Sequence, residues 1–217
     1  MFVNPSRSKE IHATIFADGE PCSAALSARL RRDRFCIALD GAAEAIRRQR
    51  WLPDLVLGDF DSASTATLRH FSRRGVPLIE TPDQNFTDLE KALLWCKAGQ
   101  FKSVWITQAL GGRLDHSFTN LSLLRRFHVP GRELLLFRDR ERVRFVRDEK
   151  VRFTGSKERG VAVLPFAECR AWSRGLAFEL NGLKLELGVQ ESTSNRARGS
   201  VVDLRIEGDA LLVEQLP

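Results

Sequence analysis

In "PDLVLGDFDSAS", residues 53–64, an apolar run ends on Asp59 and Asp61, one residue apart around Phe60. Carboxylates crowded together repel unless a cation or hydrogen-bond donors offset them. Oxygen-only donors with room for retained water suit a hard divalent ion such as Mg²⁺. A second stretch, "TPDQNFTDLEKAL" at 81–93, adds Asp83, Asn85, Thr87 and Asp88. A third, "QALGGRLDHSF" at 108–118, supplies Gly111 and Gly112 for a tight turn with exposed N–H groups, Arg113 as a planar fork for phosphate oxygens, then Asp115 and His116. Asp40 and Gly41 close another apolar run, as Asp18 and Gly19 do earlier.

Structural roles compete for these residues. An aspartate after a strand commonly caps the next helix, but capping uses one acid per helix and leaves the second carboxylate of "GDFDS" over. On that reading Asp61 or Ser62 is the cap. Thr87 and Glu90 match the S/T-x-x-E capping box, and an acid at Asp88 suits the first turn of a helix in any case. Asp115 can cap in the same way. Trp51, Phe60 and Phe86 could stack on a ligand or simply close the core.

These motifs need elements to position them. Up to about residue 130, short apolar runs ("ATIFADG", "FCIALDG", "DLVLGDF", "VPLIETP", "SVWITQAL") alternate with amphipathic stretches. That rhythm predicts an α/β fold whose mostly parallel sheet is covered by helices on both faces, because parallel neighbours need crossover connections. Ligands of such sheets bind beyond the carboxyl ends of the strands, where all these polar motifs fall. From about residue 133 short strands with turn signals follow, including "GLAFEL", "SVVDLRIEG" and "ALLVEQL", and predict a smaller antiparallel β-sandwich. The expected domains are residues 1–135 and 136–217.

Composition narrows the classes. The 217 residues are 43% hydrophobic, enough for packed cores. No run nears the roughly 18 apolar residues of a membrane span, and the opening stretch lacks the apolar centre of a secretion signal. Four scattered cysteines without a CxxC pair suit a reducing cytoplasm. The net charge of +6, from 27 Arg and 7 Lys against 28 acids, favours anionic partners. A non-catalytic nucleic-acid binder is disfavoured by 8% aromatic content, no tyrosine and no recognised motif. Neither GxxxxGK[ST] nor GxGxxG is present, and GxSxG is absent too.

Taken in order and spacing, "PDLVLGDFDS", "DQNFTDLEKAL" and "ITQALGGRLDHSFTNL", with "STSN" at 192–195, resemble the thiamine pyrophosphokinase (thiamine diphosphokinase) family. The resemblance implies an ATP-binding catalytic α/β domain, a thiamine-binding and dimerising β-sandwich, and a homodimer with a shared site. It implies Mg²⁺-dependent transfer of diphosphate from ATP to thiamine, releasing AMP. A related diphosphotransferase acting on another hydroxymethyl heterocycle is the alternative. Asp59, Asp61 and Asp88 match the metal-holding acids, and these three, Arg113 and Asp115 form the catalytic set. Asp40, Gly41, Gly111, Gly112, Arg113 and His116 fall to the nucleotide. Asp83, Asn85, Thr87, Ser194 and Asn195 are the candidate substrate contacts, the last two for thiamine. Asp61 and Asp88 are both candidates for the base. The chain departs from the family pattern at Asn85, where many relatives carry an acid, and at Ala42, where they carry a second glycine.

Overall fold

The computed structural model describes residues 11–154 and 157–216, so the opening residues discussed above as a non-signal lie largely outside it. The chain divides into two compact units, the first ending at Leu134 and the second beginning at Leu135.

The first unit alternates strand and helix as the sequence predicts: β1 His12–Phe16, α1 Ala24–Arg31, β2 Phe35–Leu39, α2 Asp40–Arg48, β3 Leu55–Gly58, α3 Thr65–Ser72, β4 Leu78–Glu80, α4 Asp88–Ala98, β5 Ser103–Thr107 and α5 Leu114–Arg126. All five strands are parallel, in the order β5-β1-β2-β3-β4. The central strands are buried almost throughout, as a sheet covered on both faces requires. The chain steps outward from β1 to β4 and then returns across β1 to β5. With right-handed crossovers, that reversal sends the β4–β5 connection to the opposite face from α2 and α3.

Helix boundaries follow from local chemistry. Ser23, Ser64 and Thr87 accept N–H bonds from the first turns of α1, α3 and α4. Gly99 ends α4, and α5 stops at Arg126, before Pro130 and Gly131. One core cluster gathers Phe16, Ala38, Ala43, Ile46, Val56 and Phe71, with Trp51 and Phe60 packed against it. Trp51 meets Phe16 edge-on at 5.0 Å, so these two aromatics beside the motifs help close the core.

In the second unit β6 Glu133–Arg138, β7 Glu141–Arg147, β8 Lys150–Thr154, β9 Gly160–Arg174, β10 Asn181–Glu186, β11 Ser192–Arg196 and β12 Val201–Gln215 pair antiparallel. "SVVDLRIEG" and "ALLVEQL", expected as two strands, form one. β12 pairs β8 with its first residues and β7 with its last, and β9 runs along its other side. The bend between the halves is a register shift at Gly208, whose φ is +97° and where a Cβ would lie 2.8 Å from the Glu168 carbonyl, which excludes a side chain. "GLAFEL" is a folded loop instead of a strand. The Glu179 carboxylate accepts from Gly175 N–H and the Ser173 hydroxyl, turning the chain so that Leu176 and Leu180 enter the core.

Ser64, and neither Asp61 nor Ser62, caps α3, accepting from Thr67 N–H at 3.2 Å. Ser64→Ala is therefore expected to cost about 1 kcal/mol in urea denaturation while leaving the catalytic constants near those of the parent.

Candidate functional site

Three carboxylates converge beyond the carboxyl ends of β2, β3 and β4. Asp40 is the first residue of α2, Asp59 follows β3 directly, and Asp88 is the first residue of α4. One oxygen from each lies within 4.8 Å of the others. The fold achieves this crowding by spending two helix N-termini on it, where the positive end of each macrodipole favours an anion. Gly58 is required by the same packing, since a Cβ there would come within 2.8 Å of the Asp40 side chain.

Their environments differ. Asp40 is 2% exposed, accepts from Gly41 N–H at 2.7 Å and from Ser62 N–H at 3.3 Å. Burial first, and then the charges of Asp88 and Asp59, push its carboxyl up to about 6 against those hydrogen bonds. Burial also raises Asp59, but bonds from Gln84 Nε2 at 3.0 Å and Asp61 N–H, with the Lys91 charge, outweigh it and leave Asp59 below the usual range. Lys91 enters from the second turn of α4. Its Nζ lies 3.0 Å from Asp88 and 3.8 Å from Asp59, with the side chain 6% exposed.

Asp61 stays outside this grouping. Its carboxylate faces solvent and accepts from the Ser62 hydroxyl at 2.8 Å. Phe60, between the two acids of "GDFDS", has a left-handed φ of +62° while its ring stays with the core. Asp83 accepts from the N–H and the side-chain amide of Asn85, at 2.9 and 2.8 Å. An acid in place of Asn85 could not make the second bond and would face Asp83 with like charge. Thr87 caps α4 as expected, but Glu90 reaches Arg126 instead of closing a capping box.

Beyond β5, Gly111 and Gly112 both have positive φ, +83° and +69°. Arg113 grips Asp115 as a fork, Nε to Oδ1 at 3.1 Å and Nη2 to Oδ2 at 2.5 Å, and Asp115 also accepts His116 N–H. That fork pulls the Asp115 carboxyl down to about 2. Arg113 is 72% exposed, so it can exchange partners. The loops after β1 and β5 are laced together by Gly19 N–H to Gln108 and Glu20 N–H to Leu110. Asp18 lies over Gly41, where a Cβ would come 2.4 Å from its carboxylate, so Asp18 belongs beside Asp40 although its sequence context is weak. Lys91 and Gln84 are the further site residues that sequence reasoning missed. A lysine inside a helical amphipathic pattern carries no signal of burial, and Gln84 matches no motif.

In the second unit Ser194 is exposed and left-handed, φ +57°, while Asn195 is buried. The Asn195 amide is committed: Oδ1 accepts from Phe178 N–H at 3.1 Å and Arg196 N–H at 2.9 Å, and Nδ2 donates to Phe178 C=O at 2.7 Å. It clamps the backbone of Phe178, whose residue is 67% exposed.

Fold and site define a class: open parallel α/β domains that gather charged side chains beyond the strand ends, continued in sequence by an antiparallel β unit. Residues 26–136, about half of the chain, match the model of the thiamin pyrophosphokinase catalytic domain. Thiamin pyrophosphokinase 1 of Caenorhabditis elegans is 29% identical over 209 residues, covering 88% of this chain and 84% of that protein. Thiamine pyrophosphokinase 1 of Arabidopsis thaliana is 27% identical over 177 residues, 76% of this chain and 66% of the plant protein. Among solved structures, thiamine pyrophosphokinase of Bacillus subtilis superposes with a TM-score of 0.82 at 20% identity, covering 94% of this chain and 99% of that one. Yeast thiamin pyrophosphokinase gives 0.82 at 15% identity, covering 99% and 89%. The chain belongs to the thiamin pyrophosphokinase family.

The raised Asp40 carboxyl has a signed consequence. Its folded state holds the proton more tightly than the unfolded chain, so its contribution to stability is complete below 3.8 and is lost as pH rises through about 6. In EDTA at neutral pH, Asp40→Asn is expected to be more stable than the parent by on the order of 1–3 kcal/mol. The difference should vanish as the pH is lowered through that window. Chemical denaturation at several pH values checks this, and a difference that stays flat across the window would count against the assignment.

Proposed function

We propose that the chain transfers diphosphate from ATP to the hydroxyethyl oxygen of thiamine, forming thiamine diphosphate and AMP. Family membership supports the reaction, and the convergence of Asp40, Asp59 and Asp88 carries its chemistry. An all-carboxylate donor set, one member with its charge strained by burial, fits Mg²⁺. Asp40, Asp59 and Asp88 are the residues that would hold the ion. Bound Mg²⁺ would offset the charge of the triphosphate and polarise the phosphoryl oxygens.

The chain's own groups do the rest. Arg113 leaves Asp115 for phosphate oxygens, a swap between two bidentate partners that its exposed fork permits. The turn at Gly111 and Gly112, with the Asp40–Gly41 and His116 positions, lines the nucleotide. The thiamine hydroxyl attacks the β-phosphorus, a bond forms from that oxygen to phosphorus, and the bond to the departing AMP oxygen breaks in line. Asp61, outside the carboxylate grouping and open to solvent, takes the hydroxyl proton as the bond forms. Asp88 is less suited, being occupied by Lys91.

Asp83, Asn85 and Thr87 shape the loop leading into α4 and hold Asp88 in place. Ser194 and Asn195 serve thiamine, Asn195 acting through the Phe178 loop it clamps. A homodimer is supported by the exposed apolar residues Leu183, Leu187 and Val189 on and after β10, an edge strand of the second unit. Free Cys22, Cys36, Cys96 and Cys169, and the lack among the described residues of a helix able to cross a membrane, accord with a cytoplasmic site of action.

Incubation with ATP, Mg²⁺ and thiamine should yield thiamine diphosphate and AMP in equal amounts, and ADP as the product would overturn the reading. Asp59→Asn and Asp88→Asn should each lower turnover by about 10²–10³-fold, given the several kcal/mol that a bound cation supplies to developing charge. Both should leave the circular dichroism spectrum unchanged. Asn195→Ala should raise KM for thiamine and leave KM for ATP near the parental value.

A further inference from the structure

Lys91 is part of the acid cluster and no step above uses it. A lysine side chain is seldom buried without a partner, and this one, 6% exposed, puts its ammonium 3.0 Å from Asp88 and 3.8 Å from Asp59. It reaches Asp88 as an i,i+3 neighbour on α4, so the helix that presents an acid to the site presents the balancing cation too. Asp40 instead accepts from the backbone N–H groups of Gly41 and Ser62.

We propose that Lys91 is the resident cation of the site, a positioning residue that holds Asp59 and Asp88 close together before any metal arrives. It occupies one oxygen of Asp88 and approaches one of Asp59, Oδ2, whose other donor is Gln84. The three carboxylates with Lys91 carry a net charge of −2, matched to one divalent ion. Without Lys91 the same acids carry −3, attract cations more strongly, and repel one another when empty. The inference rests on the Mg²⁺ reading above for its functional meaning, but the charge balance can be measured without metal.

Three proteins test it: Lys91→Met, Lys91→Arg, and Lys91→Met combined with Asp88→Asn. In EDTA, Lys91→Met should melt several degrees below the parent. Lys91→Arg should lie near the parent, and the double variant should recover most of the loss, because removing one acid restores the balance. Mn²⁺ binding, followed by electron paramagnetic resonance with a non-hydrolysable ATP analogue present, should tighten by about tenfold in Lys91→Met, equivalent to about 1.4 kcal/mol. A Lys91→Met protein as stable as the parent, or one that Asp88→Asn does not rescue, would overturn the resident-cation role. So would unchanged Mn²⁺ affinity in Lys91→Met. Mn²⁺ binding by neither the parent nor any variant would instead overturn the metal reading, whatever the melting data say about Lys91.

Discussion

Repulsion among Asp40, Asp59 and Asp88 is the constraint on which the first unit is organised. Three like charges with oxygens inside 4.8 Å would drive the loops apart if nothing opposed them. The opposition comes from several sources that the parallel α/β architecture supplies together: two helix N-termini, backbone N–H groups from Gly41, Ser62 and Asp61, and the ammonium of Lys91. None of these would be aligned in an antiparallel sheet, where adjacent strands end on opposite edges. The shared direction of β2, β3 and β4 is therefore tied to the position of these charges.

The division of labour around "GDFDS" illustrates how function is kept separate from folding. Ser64 terminates α3, so neither acid is needed as a cap. Phe60 accepts a left-handed backbone, costly for a bulky residue, while its ring packs into the core. The apolar ring anchors a turn that leaves Asp59 with the cluster and Asp61 outside it. Similarly, the side chain of Asn195 satisfies Phe178 on both its N–H and its carbonyl, so a polar residue inside the second unit fixes an aromatic one at its surface.

Much of this was legible in the sequence. The alternation of apolar runs with amphipathic stretches located all five parallel strands, because period and punctuation are local properties. The motifs at the strand ends were legible for the same reason. Two kinds of information were not. In the sequence Asp40 reads as a nucleotide contact and Asp61 as a metal ligand, and no local pattern shows that the oxygens of Asp40, Asp59 and Asp88 are the ones that come within 4.8 Å of one another. Lys91 and Gln84 were hidden because each meets the site through a residue distant in sequence or matches no motif, Asp59 being the acid that both reach. In the second unit, Gly208 reads as a turn between two strands, yet a single register shift lets β12 continue through it.

That continuity of β9 and β12 governs how the second unit holds together. Each is 15 residues long, and they pair with each other on both sides of the bend. β8 and β10 attach to one half of this pair, β7 and β11 to the other. Neither half owns a complete set of strands, so loss of pairing in one withdraws the template of the other. The two halves of the unit are therefore joined through two unbroken backbones and not merely packed side by side.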